Sequence, residues 1–406
     1  MHNRHSRNTV RYYILIVAFL LCLFFSNDFG LLDVQKTAIV MAAGIDREAN
    51  EFIVTSQIAI PQSSTQGKST ESVQLVSRGK TIAQAFEEIN AKTGWYAKLV
   101  FCDLILIGEN AAKENVFDAL DYFLLDEYMS DSCLVATCNG FAKDLLDAAA
   151  LVDPSSSAAM KKVLSTHAAR VGTTLPNTLR EFAIGYFGDS KSSFLPVLKT
   201  QPQQEQVGEN PPSGENAKSG EGQTAAQNTT SQTENTKNKP VFSAEETALF
   251  VNGKWVSTLT PAQTFALNVA KNPLKLAAYS VAKDEATCTL SIKNTDQKTK
   301  LVVTQGGAVL KLNVTLTAGL LDYSSALPVE KLSDAGDIPD GVFGAAEKKL
   351  SGEILEVFEK TKACGCDIFG VRDMLVKHKK RSLHSRADGL LEEVLPEIKV
   401  SFQNVR

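Results

Sequence analysis

Apolar and polar positions fall into three regimes along this chain, and the first of them is unbroken. Tyr12 to Phe25 (YYILIVAFLLCLFF) carries no polar residue and comes after Arg4, Arg7 and Arg11. A cationic flank before an apolar run is the pattern of a secretory signal or signal-anchor. Arginines ahead of the run keep that end in the cytoplasm and send the remainder of the chain across the membrane. A span needs about 20 apolar residues, a length reached if the run continues through Phe29, Leu31 and Leu32. An uncleaved anchor is the preferred reading. Two alternatives stay open: lipidation on Cys22, although Leu21 is large for the residue before a lipoprotein cleavage site, and ordinary cleavage, although Phe24 to Asn27 offer no small-residue motif.

Behind that run the pattern changes to short β-branched strands and amphipathic helices. Thr37 to Gly44 and Phe52 to Ile60 read as a hairpin with Ile45 to Asn50 as its polar turn, and Val73 to Val76 as a third strand. Thr81 caps a helix through Asn90 that aligns Ile82, Ala85, Phe86 and Ile89. Leu99 to Ile107 predicts a central strand, Ala111 to Tyr128 a helix, Cys133 to Cys138 a strand and Phe141 to Ala149 a helix, with further helices over Ser155 to Ala169 and Leu179 to Tyr186. The alternation indicates an α/β or α+β region.

Gln201 to Pro240 has no aromatic residue and almost nothing to bury, so it is expected to stay disordered as a tether or loop tip. Beyond it, Asn252-Gly253 between two apolar runs is a two-residue hairpin signal, and Thr260-Pro261 starts a helix through Ala270. Thr287 to Ile292, Leu301 to Thr304 and Val309 to Thr317 read as strands. A long helix from Val342 to Lys362 carries the stripe Phe343, Ala346, Leu350, Ile354, Val357 and Thr361, followed by a helix to Lys379 and a closing strand, Ile398 to Val405. The expected fold class is α+β: an elongated, multi-domain chain of mixed sheets and helices behind an N-terminal membrane anchor. Its expected parts are a tail and anchor (1–32), an N-terminal α/β region (33–200) with room for two subdomains, a polar linker (201–240) and a C-terminal α+β domain (241–406).

Charge and candidate chemistry narrow the function classes. A formal net charge of −4 gives no electrostatic case for nucleic acid. The seven cysteines are spread over a long chain, and Cys133 and Cys138 face opposite sides of one strand, so they do not form a disulfide framework. His167 has no metal-ligand partner at suitable spacing. Cys364-Gly365-Cys366 fits a redox or metal pair, but a helix-stopping glycine between packed cysteines is the stronger reading. Glu87-Glu88 and Glu392-Glu393 are neighbours on helices and point apart, so neither is an acid/base dyad. The basic run from Lys377 to Arg386 suits anionic headgroups or an acidic partner, against the preferred reading of a solvated helix end. No catalytic residue, cofactor site or metal site is assigned.

The order of four stretches resembles the Ger(x)C family, the C subunits of the nutrient germinant receptors of endospore-forming bacteria. Thr37 to Asp46 (TAIVMAAGID) is similar to the family's opening strand, with its Gly44-Ile45-Asp46 turn. Lys98 to Asn110 running into Leu120-Asp121-Tyr122-Phe123 is similar to its central strand-helix unit, and Thr137 to Asp147 comes next in place. Asp367-Ile368-Phe369-Gly370 after the long helix looks like the C-terminal signature. The chain departs from the family at Cys22, which lacks the usual lipobox and adjoining Trp. The resemblance implies a non-enzymatic subunit at the extracytoplasmic face of the inner spore membrane, assembling with integral-membrane A-type and B-type subunits and using no cofactor. It implies structural roles for the signature residues. Phe369 is expected to plug the groove between its flanking helices, with Gly370 permitting the close approach. The runner-up is an exported, membrane-anchored binding module for a cell-wall component or small ligand, with a secreted hydrolase third.

Overall fold

The computed structural model describes residues 12–21, 37–59, 72–148, 150, 153–201, 241–283, 286–304, 307–325, 338–377 and 393–405. Residues 12–21 form helix α1, every large apolar side chain of which is at least half exposed. Among the described residues no helix is long and apolar enough to cross a membrane. The rest of the expected anchor, Cys22 included, lies outside the described residues, as do residues 202–240 and the basic run beyond Lys377.

A 10-stranded sheet organises the first half. In chain order its strands are β1 (Thr37–Glu48), β2 (Glu51–Ala59), β3 (Ser72–Gly79), β4 (Tyr96–Lys98), β5 (Leu104–Ile107), β6 (Leu134–Cys138), β7 (Asn177–Thr178), β8 (Ser192–Gln201), β9 (Val241–Val251) and β10 (Lys254–Leu259). The spatial order β10-β9-β8-β6-β5-β1-β2-β3 puts a parallel block, β8-β6-β5-β1, between antiparallel flanks. A parallel block must be covered on both faces. Accordingly Ile105 and Ile107 pack under α2 (Ile82–Thr93), α3 (Glu109–Leu125) and α7 (Leu179–Phe187), while Leu104 and Leu106 face α4 (Ala142–Asp147) and α5 (Ser156–Val163). Cys133 and Cys138 fall into these two opposite layers, as their spacing requires.

The second sheet, β11-β12-β13-β14, is built from β11 (Ala277–Lys283), β12 (Ala286–Thr304), β13 (Gly307–Ser325) and β14 (Leu395–Asn404). Its first three strands are antiparallel, and β14 joins β13 in parallel. Helices α8 (Pro261–Lys271) and α9 (Val342–Ala363) cover it, the latter through Val342, Ala346, Leu350, Ile354 and Val357. Helix α6 (Thr166–Val171) lies in the first half and α10 (Val371–Lys377) comes after α9.

Several expectations change. Gly44, Ile45 and Asp46 are strand residues paired with Thr55, Val54 and Ile53, and the turn falls at Ala49–Asn50. Leu99 to Ile107 is interrupted: β4 ends at Lys98, a turn intervenes, and β5 begins at Leu104. Ser155 to Ala169 splits because Ser165 caps a new helix by accepting from the Ala168 amide. Thr287–Ile292 and Leu301–Thr304 belong to one strand, since the polar stretch between them continues the ladder with β13.

The expected boundary at 240/241 does not coincide with a break in the sheet. Strands β9 and β10 complete the first sheet, and β9 serves both cores: Ala248 and Phe250 face the first, Leu249 the second. The same register makes Gln201 and Val241 Cα partners, so the residues that flank 202–240 lie side by side. Replacing residues 202–240 by a two- to four-residue turn should leave the melting temperature unchanged or slightly raised, because shortening the loop lowers the entropic cost of closing it by at most about 2–3 kcal/mol. Thermal denaturation monitored by circular dichroism checks this; a large fall would mean that the segment packs.

Candidate functional site

The residues of the two signatures do the same physical job at two places. Asp46, at the end of β1, is buried, and its carboxylate accepts the backbone N–H of Ala142 at 2.7 Å and of Lys143 at 3.0 Å. Helix α4 lacks a side-chain cap of its own, so Asp46 supplies from a distant strand the acceptor that a helix start requires. Space around it is tight. A Cβ on Gly44 would lie 2.7 Å from Leu146 Cδ1, and one on Gly108 would strike the Asp46 carboxylate.

Asp367 repeats the arrangement in the second half. It is buried, and its two oxygens accept the N–H groups of Val371 (2.9 Å) and Arg372 (2.7 Å) at the start of α10. The preceding residues stop α9. Gly365, at φ +71°, lets its own N–H reach Lys362 O (3.1 Å) and the Cys366 N–H reach Thr361 O (2.9 Å), the paired bonds of a glycine helix stop. Cys366 is then buried against β8 and β9, with Sγ 3.5 Å from Phe250 O, and the Asp367 N–H donates to Ser192 Oγ at 2.9 Å. The loop therefore fastens the end of the second half to β8 of the first.

Phe369 is half-buried and packs against a cluster that holds Phe358 of α9 and Val371 and Leu375 of α10. Its ring lies 5.5 Å from that of Phe358 on α9 and touches the edges of two apolar clusters. Gly370 is needed for its positive φ (+71°) and not for close approach, since a Cβ there would meet nothing within 4 Å.

A cleft of about 350 Å³ opens beside this loop, lined among others by Asn177, Glu181, Ser192, Lys271, Asp367 and Phe369. Lys271 is exposed along its stem, but its ammonium turns inward to donate to Ile368 O at 2.7 Å, 5.8 Å from the centre of the Phe194 ring. Desolvation there lowers its pKa, against the opposing field of Asp367. Asn177 is occupied with Phe194 O at 2.7 Å. Sequence reasoning singled out Asp367 to Gly370 but not Ser192, Asn177 or Lys271. Their link to the signature spans more than 90 residues and leaves no local pattern. The cleft offers hydrogen-bonding groups and charge, and both oxygens of its most buried carboxylate are already engaged. Among the described residues no group of three His, Cys, Asp or Glu could hold a metal ion, and the described cysteines are free thiols.

The geometry defines a class: a two-sheet α+β scaffold whose signature carboxylates anchor helix starts. Comparison places it. Residues 32–200 match the spore germination protein N-terminal domain, and residues 245–404 match the C-terminal domain described as spore germination B3/GerAC like. The chain belongs to the Ger(x)C family, the C subunits of germinant receptors. The crystal structure of the GerBC protein has the same fold, with a TM-score of 0.52 at 16% identity over 90% of this chain and 97% of that one. No curated protein matches the chain in sequence.

Burial raises the pKa of both Asp46 and Asp367 above the usual aspartate value, outweighing the backbone N–H groups that lower it. A raised folded-state pKa means that the folded chain binds the proton more tightly than the unfolded one. Stability from these groups is therefore greatest at low pH and falls as pH rises through the folded pKa. Asp46→Ala should cost about 2–3 kcal/mol by leaving the α4 donors without an acceptor. Asp46→Asn should cost less, and wild type should gain on it as pH falls from about 7 to about 4. Denaturant titrations at the two pH values measure both differences; an unchanged Asp46→Ala midpoint would contradict the anchoring role.

Proposed function

We propose that this chain is the non-enzymatic, membrane-anchored subunit of a nutrient germinant receptor, held at the extracytoplasmic face of the inner spore membrane. In this reading it assembles with integral-membrane A-type and B-type subunits and supports the triggering of germination. The observation that carries the reading is the order of the two germination-specific domains, which together run from residue 32 to residue 404. A structural rather than catalytic role fits the signature carboxylates, whose oxygens are held by helix N–H groups and are not free to act as acid or base. The fit of the second half onto the first, through β9 and the Cys366–Asp367 loop, suits a scaffold that presents one continuous surface to its partners.

The cleft beside Asp367 favours a second reading, an exported module that binds a small ligand or wall fragment. One experiment separates the two. A C-terminally tagged chain, extracted with mild detergent from spore inner membranes, should co-purify with A-type and B-type subunits, and its deletion should abolish the response to nutrient while leaving non-nutrient germination intact. Recovery of the tagged chain alone, with an unaltered nutrient response in the deletion strain, would exclude the receptor reading.

A further inference from the structure

One end of the first sheet carries an unusual concentration of exposed apolar and aromatic side chains. Trp95, Tyr96, Val100, Phe101, Leu125 and Tyr128 are each more than two-fifths exposed, Leu125 at 84%. The topology brings them together. Helix α2 ends at Thr93, so Trp95 comes just before β4 and Tyr96 opens it, and Val100 and Phe101 form the turn between β4 and β5. Helix α3 starts just after β5 and packs back over β1 and β5, which returns Leu125 and Tyr128 to the same end. A direct contact closes the patch: Lys98 Nζ lies 4.3 Å from the centre of the Tyr128 ring.

This is also the end at which the N-terminal segment enters the domain. Tyr96 is the Cα partner of Thr37, the first residue of β1, and residues 22–36 connect Thr37 to α1. Side chains on α1 are exposed on all sides, from 51% to 69% for the large ones, so none of the described residues covers them.

We propose that this end of the sheet rests on the phospholipid surface, with Trp95, Tyr96, Phe101, Leu125 and Tyr128 at the boundary between headgroups and acyl chains. The inference rests on the membrane-anchored reading and adds to it a face and an orientation. Tryptophan and tyrosine favour that boundary because their rings are apolar and their N–H or O–H stays with water, and a lysine beside them reaches the headgroups. The tether already holds this end near the bilayer, so a weak surface affinity is enough. Charge nearby shows no positive excess: Lys92 pairs with Glu88, Lys161 with Asp103 and Arg180 with Asp131, and the Tyr128 ring under Lys98 also feels the carboxylates of Glu127 and Asp126. The contact is therefore apolar in origin, needs no anionic lipid and depends little on salt.

The chain has two tryptophans, which makes the test direct. Trp255 is half-buried against the first core, with Nε1 donating to Ser257 O at 2.9 Å. The full chain is reconstituted into phosphatidylcholine vesicles containing lipids brominated at a shallow acyl position. With Trp255→Phe, emission from Trp95 should fall about two-fold relative to vesicles without bromine, and high salt should not restore it. With Trp95→Phe, the remaining emission should be unaffected. Adding Phe101→Asp and Leu125→Asp, both at exposed positions, should weaken the quenching without lowering the melting temperature. If the chain floats with the vesicles but Trp95 is unquenched, this proposal is wrong and the anchored reading stands. If the chain does not float, both fail. If Trp95 is protected only when polytopic subunits are added, the face belongs to a protein partner and the lipid assignment is overturned.

Discussion

The antiparallel ladder between β8 and β9 is the constraint on which the rest of the architecture depends. It runs from Ser192 opposite Val251 to Gln201 opposite Val241, and it carries the chain from the first half directly into the second. Strand β9 is sandwiched, with Ala248 and Phe250 in one core and Leu249 in the other. Removing it would open the edge of β8 and strip apolar cover from both cores at once. Three further ties converge on the same region. The Asn252-Gly253 turn accepts the Val116 N–H at 2.7 Å, and α3 leaves helical geometry at Asn115 to permit it. Thr264 of α8 bonds Thr247, and Asn268 reaches Ala169 O and Thr174 O. The Cys366–Asp367 loop then fastens to Ser192 and Phe250 from the far end of the chain.

The signature residues make sense as parts of this assembly. Asp46 and Asp367 each spend a carboxylate on two consecutive N–H groups of a helix start, α4 in one half and α10 in the other. Buried carboxylates are costly to desolvate and are retained where they satisfy donors that nothing else reaches. In both places the helix so anchored covers one of the apolar clusters. Fixing helix starts from within the sheets holds the helices, and the surfaces they carry, in reproducible positions.

Much of this was legible in the sequence, and the misreadings have physical causes. Strands β1 and β6, the capped helices α2 and α8 and the stripe on α9 announce themselves through period and cap, whereas β8 (Ser192–Gln201) is not read as a strand. Asp46 reads as a turn residue because acidic residues favour turns, yet it belongs to a strand because its partners lie about a hundred residues on, at Ala142 and Lys143. The β12–β13 hairpin looks broken because Lys293 to Lys300 is polar. There the ladder itself, rather than burial of a face, sustains the strand. The boundary after residue 240 tracks composition, and composition does not reveal that the chain returns to the sheet it left. The cleft beside Asp367 was only half visible, since Ser192 and Lys271 meet it through tertiary contacts alone.

The central claim is that the two halves form one cooperative unit closed by β9, and calorimetry of residues 33–406 tests it most directly. A single unfolding transition is expected, with the calorimetric and van't Hoff enthalpies in agreement. Two separable transitions, one of them reproduced by residues 33–200 alone, would contradict it.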